Sequence, residues 1–130
     1  MSYGTDGLTF NALRAANVAR LPEFKNKHGR LAHSQPDGSD WTPGEWMSAI
    51  LGELGEAANL VKKLKRGDLT LDEARPLIAK ELADVVTYVD LTAYQFRIDL
   101  GQATMDKFNE VSERVNANVR LDAEGWHRRW

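Results

Sequence analysis

The chain contains no cysteine, which excludes disulfide scaffolds, thiolate nucleophiles and sulfur-ligated zinc. Histidine is almost as scarce, with only His28, His33 and His127. No apolar run approaches the ~20 residues needed to cross a bilayer. The opening stretch, Met1 to Phe10, lacks the apolar centre of a secretory signal. Net charge is also close to nil, at −2 for 130 residues, so there is no global attraction for nucleic acid or an anionic membrane. The expectation is a cytoplasmic protein that binds neither, in which any phosphate chemistry rests on a local device such as metal ions.

What is present suits a globular chain, with 42% hydrophobic and 28% charged residues. The length predicts one domain, 1–130, with an ordinary core. Apolar residues recur at three and four, which predicts an all-α fold. A first helix is expected over about Phe10 to Arg20, followed by a long, locally basic loop from Pro22 to Trp41 carrying Lys25, Lys27, His28, Arg30 and His33. Loops of this length are often binding loops. Thr42, Pro43 and Glu45 form a capping-box start for a second helix that runs to Leu64 and stops at Gly67. Thr70 and Glu73 offer another start, but Pro76 should break it. The expectation there is a short turn, then a third helix from Pro76 to Phe96. Asp99 and Gln102 open a fourth, through about Val115.

Four acidic residues stand out by position. Glu53 and Glu56 are three apart and share a helical face, and Glu81 and Asp84 repeat the spacing on the next long helix. Like charges at this spacing cost a few tenths of a kcal/mol per pair. Their neighbours are apolar or small: Leu54, Gly55, Ala57 and Ala58 in one case, Leu82, Ala83, Val85 and Val86 in the other. Hard divalent cations take such oxygen ligands. The spacing alone leaves two possibilities open, a metal site and a set of solvated carboxylates. A di-iron bundle is excluded, because no histidine lies three residues after a helical glutamate.

The motifs around these residues are GELGEA (Gly52 to Ala57), KKLKRG (Lys62 to Gly67) and KELADVV (Lys80 to Val86), followed downstream by Lys107, Phe108, Asn109 and Arg114. Over Trp46 to Arg114 the chain resembles the MazG-like all-α nucleoside triphosphate pyrophosphohydrolases, whose pattern is Glu-x-x-Glu, a spacer, then Glu-x-x-Asp. Its compact form is similar to phage-encoded relatives, which would place it in the host cytoplasm. The resemblance implies a four-helix bundle completed by assembly into a homodimer or homotetramer. It also implies hydrolysis of a (d)NTP between its α- and β-phosphates, giving (d)NMP and pyrophosphate. Glu53, Glu56, Glu81 and Asp84 would then hold two or three Mg²⁺ ions, with Mn²⁺ able to substitute. By resemblance Glu53 doubles as general base. Some relatives carry a further glutamate where this chain has Gly52, so the identity of the base stays open.

Further candidates follow from helical spacing. Lys63 falls within about 20° of Glu56 and Tyr88 within about 20° of Glu81, which suits Lys63 to a phosphate and Tyr88 to sugar or phosphate. Lys107 and Asn109 match the family's closing segment, as phosphate or metal-supporting groups. Trp46, two turns before Glu53, could stack on a base, and Asn17 could bond a base edge. Arg128 and Arg129 could reach phosphate from the tail. Each of these also has a plainer reading, as solvated side chain or packed core. Asn17 and Trp46 together lean the substrate towards (d)GTP, ahead of dCTP and dUTP. The alternatives are a phosphoribosyl-ATP pyrophosphohydrolase-like enzyme and a non-catalytic helical interaction module.

Overall fold

A computed structural model describes residues 7–128. They cluster into two compact units that divide between Phe96 and Arg97, a division that no shift in composition marks.

In the first unit, α1 (Phe10–Arg20) starts at Thr9, whose hydroxyl accepts the Ala12 N–H at 3.0 Å. A 3₁₀ turn, Leu21–Glu23, follows directly. Helix α2 (Pro43–Arg66) begins with the expected capping box. The Thr42 hydroxyl accepts from Glu45 N at 3.4 Å, and the Glu45 carboxylate accepts from Thr42 N at 2.7 Å. The helix closes at Gly67 in the left-handed conformation.

Helix α3 (Leu71–Gln95) differs from expectation. It is one continuous helix from the Thr70 cap, with Pro76 inside it. Pro76 lies early in the helix, where its missing N–H would have met the carbonyl of Asp72, an exposed residue that water can serve. The strong cap upstream outweighs that one lost bond.

Helices α2 and α3 pack against each other as the main pair of this unit, and α1 packs on α3. The join between α1 and α3 is polar. Asp90, 1% exposed, accepts from Arg14 Nε at 3.0 Å and from Asn17 Nδ2 at 3.0 Å. Leu91, Thr92 and Ala93 beside it are buried, as are Trp46 and Ala57 of α2. One face of the α2–α3 pair stays exposed, through Met47, Leu51, Leu54 and Val61 on α2 and Leu82 and Val86 on α3. Among the described residues no helix is long and apolar enough to cross a membrane.

The second unit holds α4 (Leu100–Arg114), capped by Asp99, whose carboxylate accepts from Gln102 N. The unit ends in an element the helical pattern did not predict, an antiparallel hairpin of β1 (Arg120–Asp122) and β2 (Gly125–His127). The described part of the chain is therefore mostly helical, with four α-helices, rather than wholly helical.

Removing the Asp90 carboxylate takes one acceptor from a partly buried guanidinium and from a buried amide, and losing one partner of a buried pair costs about 3–5 kcal/mol. Asp90→Ala should lower unfolding stability in urea by about 3 kcal/mol, near the low end because Arg14 is partly exposed. A loss under about 0.5 kcal/mol, the range of an ordinary surface change, would mean that α1 is held by other contacts.

Candidate metal centre and its cleft

The α2–α3 pairing brings acidic side chains together across the helix interface. Carboxylate oxygens of Glu53, Glu81 and Asp84 lie within 4.8 Å of one another. Glu53 and Glu81 are half-buried and Asp84 is exposed. Glu56 does not join this close group. It is exposed, yet near enough to Glu81 to act on its ionisation.

Crowding shows in the protonation of the group. Desolvation, then contact with Glu81 and the charges of Asp84, Glu56 and Glu81, push Glu53 up from 4.5 to about 7. For Glu81 the hydrogen bond from Glu53 acts downward. Contact with Glu56, desolvation and the charges of Glu56 and Asp84 outweigh it, so its pKa is raised. Glu81 Oε2 is buried without a hydrogen-bond partner.

A divalent cation fits this donor set. The ligands are all hard oxygens, no described residue forms an ion pair with Glu53, Glu81 or Asp84, and Glu81 Oε2 is left without a partner. Bound cations would return Glu53 and Glu81 to their ionised forms.

Tyr88 joins the cluster to an aromatic group. Desolvation and the charges of Glu53 and Asp84 hold its phenol above the usual range. Its hydroxyl lies 3.2 Å from His33 Nε2. Burial, then the charge of Arg20, lower the His33 pKa and favour the neutral ring. The His33 ring stacks on Trp46 at 5.1 Å and 16°, and meets Phe24 at 5.0 Å and Trp41 at 4.9 Å.

The loop reaches this point because it is braced. Phe24 O accepts from Ala32 N at 2.8 Å, and His33 O from Trp41 N at 3.3 Å. These contacts fold the loop into two small hairpins whose tips are Gly29 and Gly38, both at positive φ. His33 sits where the two hairpins meet. A cleft beside it is lined by Arg20, Phe24, His33, Asp84, Thr87 and Tyr88, among others.

The remaining sequence candidates fall as follows. Trp46 is 3% exposed, with one ring face on His33, so it supports the aromatic group from inside. Asn17 is buried and its amide nitrogen donates to Asp90, which commits that donor to the fold. Lys63 is half-buried near the end of α2. Lys107 and Asn109 lie in the second unit. There Lys107 pairs with Glu110 at 2.9 Å. The Asn109 side chain donates to Leu121 O and accepts from Leu121 N, both at 2.8 Å, clasping β1 to α4. Arg128 is exposed, with its guanidinium 6.0 Å from the Trp126 ring, and Arg129 lies outside the described residues.

Sequence reading missed Phe24, His33 and Arg20 as neighbours of the cluster. The spacing of Phe24, His33, Trp41 and Trp46 was visible, but helical periodicity carries no information about a loop. Comparison with protein-family models, curated proteins and solved structures gave no match.

The folded state holds a proton on Glu53 more tightly than the unfolded chain does. The stability this contributes is full below pH 4.5 and is lost as pH rises through about 7. In a chelator, the thermal midpoint should therefore fall across that window. Excess Mn²⁺ should flatten the fall, because the cation binds the ionised folded cluster. Differential scanning calorimetry at several pH values checks both. A metal-free midpoint that rises through the window would mean the carboxylates are not crowded in solution.

Proposed function

We propose that this protein is a Mg²⁺- or Mn²⁺-dependent nucleoside triphosphate pyrophosphohydrolase of the MazG-like kind, acting on a (d)NTP. The observation that carries the reading is the convergence of Glu53, Glu81 and Asp84 oxygens from two helices, with an orphaned Glu81 oxygen among them. These three would hold the cations, with Glu56 at the edge as a further ligand. When bound, the cations supply Lewis-acid charge to the phosphates.

The chain's own residues supply the rest. Water attacks the α-phosphorus, the bond to the bridging oxygen of the β-phosphate breaks, and pyrophosphate leaves. A carboxylate takes the water's proton. By resemblance that group is Glu53, and Gly52 offers no rival side chain. Glu56 is the competitor, since its place outside the close group leaves its oxygens freer to accept a proton. Neutral His33 anchors Tyr88 beside Asp84, giving the cleft a fixed wall. The lean towards (d)GTP, ahead of dCTP and dUTP, rests on Asn17, which lines the cleft while its amide nitrogen donates to Asp90, and on Trp46, whose ring stacks on His33. A phosphoribosyl-ATP substrate ranks behind these.

The exposed apolar face of α2 and α3 supports a homodimer or homotetramer in which a second copy covers Leu51, Leu54 and Val86. Lone surface leucines are ordinary, whereas several exposed apolar residues on two packed helices suit an interface. A particle larger than 14.6 kDa is expected by size exclusion with light scattering, and a strict monomer refutes the assembly.

Pyrophosphate release from a full nucleotide panel with Mg²⁺ or Mn²⁺ tests the activity. Glu53→Gln should cut turnover by at least about 100-fold, the scale of losing a group that acts on transition-state charge, and should weaken Mn²⁺ binding. Glu56→Gln should keep most Mn²⁺ binding, and its turnover decides which glutamate takes the proton. Both variants should keep the wild-type circular dichroism spectrum. No turnover of any nucleotide by the wild type would leave the non-catalytic interaction module as the surviving reading.

A further inference from the structure

Arg20 was not among the sequence candidates, yet it lines the same cleft as Asp84, His33 and Tyr88. It is the last residue of α1 and is exposed. Among the described residues its guanidinium makes no ion pair or hydrogen bond, and it lies over the Phe24 ring, 6.0 Å from centroid to Cζ. It lines the cleft together with His33 and Tyr88, and its charge acts on both.

Charge bookkeeping shows what such a group is for. Four carboxylates and two divalent cations come close to cancelling, so a bound triphosphate would leave several negative charges to be met by the cleft walls. His33 is kept neutral and Tyr88 keeps its proton. Among the described residues, Arg20 is then the one cation lining the cleft. A guanidinium offers five donors in a planar fork that matches two phosphate oxygens at once. Its seat on the rim, with all of its donors free, suits a ligand that arrives from solvent.

We propose that Arg20 binds the terminal phosphates of the substrate from the cleft it lines with Asp84, and so sets the requirement for a triphosphate over a monophosphate. This rests on the pyrophosphohydrolase reading and names a binding residue for it. The guanidinium holds the β- and γ-phosphates, which leave together as pyrophosphate, while the carboxylate cluster faces the α-phosphate. Arg20 touches no reacting bond, so its removal acts on binding more than on the chemical step.

The test compares wild type, Arg20→Ala and Arg20→Lys. Calorimetric titration with a nucleoside α,β-imidotriphosphate, in Mg²⁺, should show affinity reduced by about 10- to 100-fold in Arg20→Ala, the range for losing one or two charge-assisted hydrogen bonds. The matching monophosphate should bind all three proteins alike, and so should Mn²⁺ followed by electron paramagnetic resonance. KM for the triphosphate should rise with kcat changed less than about threefold, and Arg20→Lys should recover part of the loss. An active wild type with a silent Arg20→Ala overturns this assignment and leaves the pyrophosphohydrolase reading intact. Equal weakening of mono- and triphosphate overturns it as well. A wild type that neither binds the imidotriphosphate nor cleaves any nucleotide defeats both.

Discussion

The α2–α3 pair forces like charges together. Two helices pack along their apolar sides, and the packing carries Glu53 against Glu81 and Asp84 whether or not anything positive lies between them. An isolated carboxylate relieves such strain by turning outward into water. Here the helix backbones are fixed over six or seven turns each, so relief comes by holding a proton at Glu53 or by capturing a cation. The crowding is thus paid for by the packing of the pair, and under the proposed function a cation would relieve it.

A second polar device acts at a distance from the cluster. Buried Asp90 holds Arg14 and Asn17 of α1 against α3. Because α1 is a continuous helix to Arg20 and runs directly into the 3₁₀ turn, fixing its middle also fixes the approach to Phe24. The loop then returns His33 to Tyr88, and Tyr88 stands one turn after Asp84 on α3. The aromatic group and the carboxylates are therefore linked through α3 by covalent spacing, and through α1 by a buried ion pair.

Much of this was legible in the amino-acid pattern. The bounds of α1, the capping box of α2, the stop at Gly67 and the Asp99 start of α4 all follow from local rules that act within one turn of helix. The two acidic pairs were legible for the same reason, since a three-residue spacing implies a shared face. What the pattern could not give was tertiary. Pro76 lies inside a helix because its cost is one exposed bond against a strong upstream cap. Glu56 falls outside the close group, which spacing along a single helix could not decide. Asn17 belongs to Asp90, 73 positions away, a partner no periodicity could name. The terminal hairpin was missed because β1 and β2 are three residues each, too short to show an alternation. Asn109 likewise has its place through Leu121, across a turn.

The braced loop has a consequence for how such a chain can change over generations. Its two small hairpins are tied at their bases and open at Gly29 and Gly38, so added or deleted residues at those tips would be absorbed locally. The same insertion next to His33 would slide the ring off Trp46 and away from Tyr88. Length drift is therefore tolerated at two defined places in this loop and forbidden between them, which leaves the cleft wall constant while the outer surface of the loop diversifies.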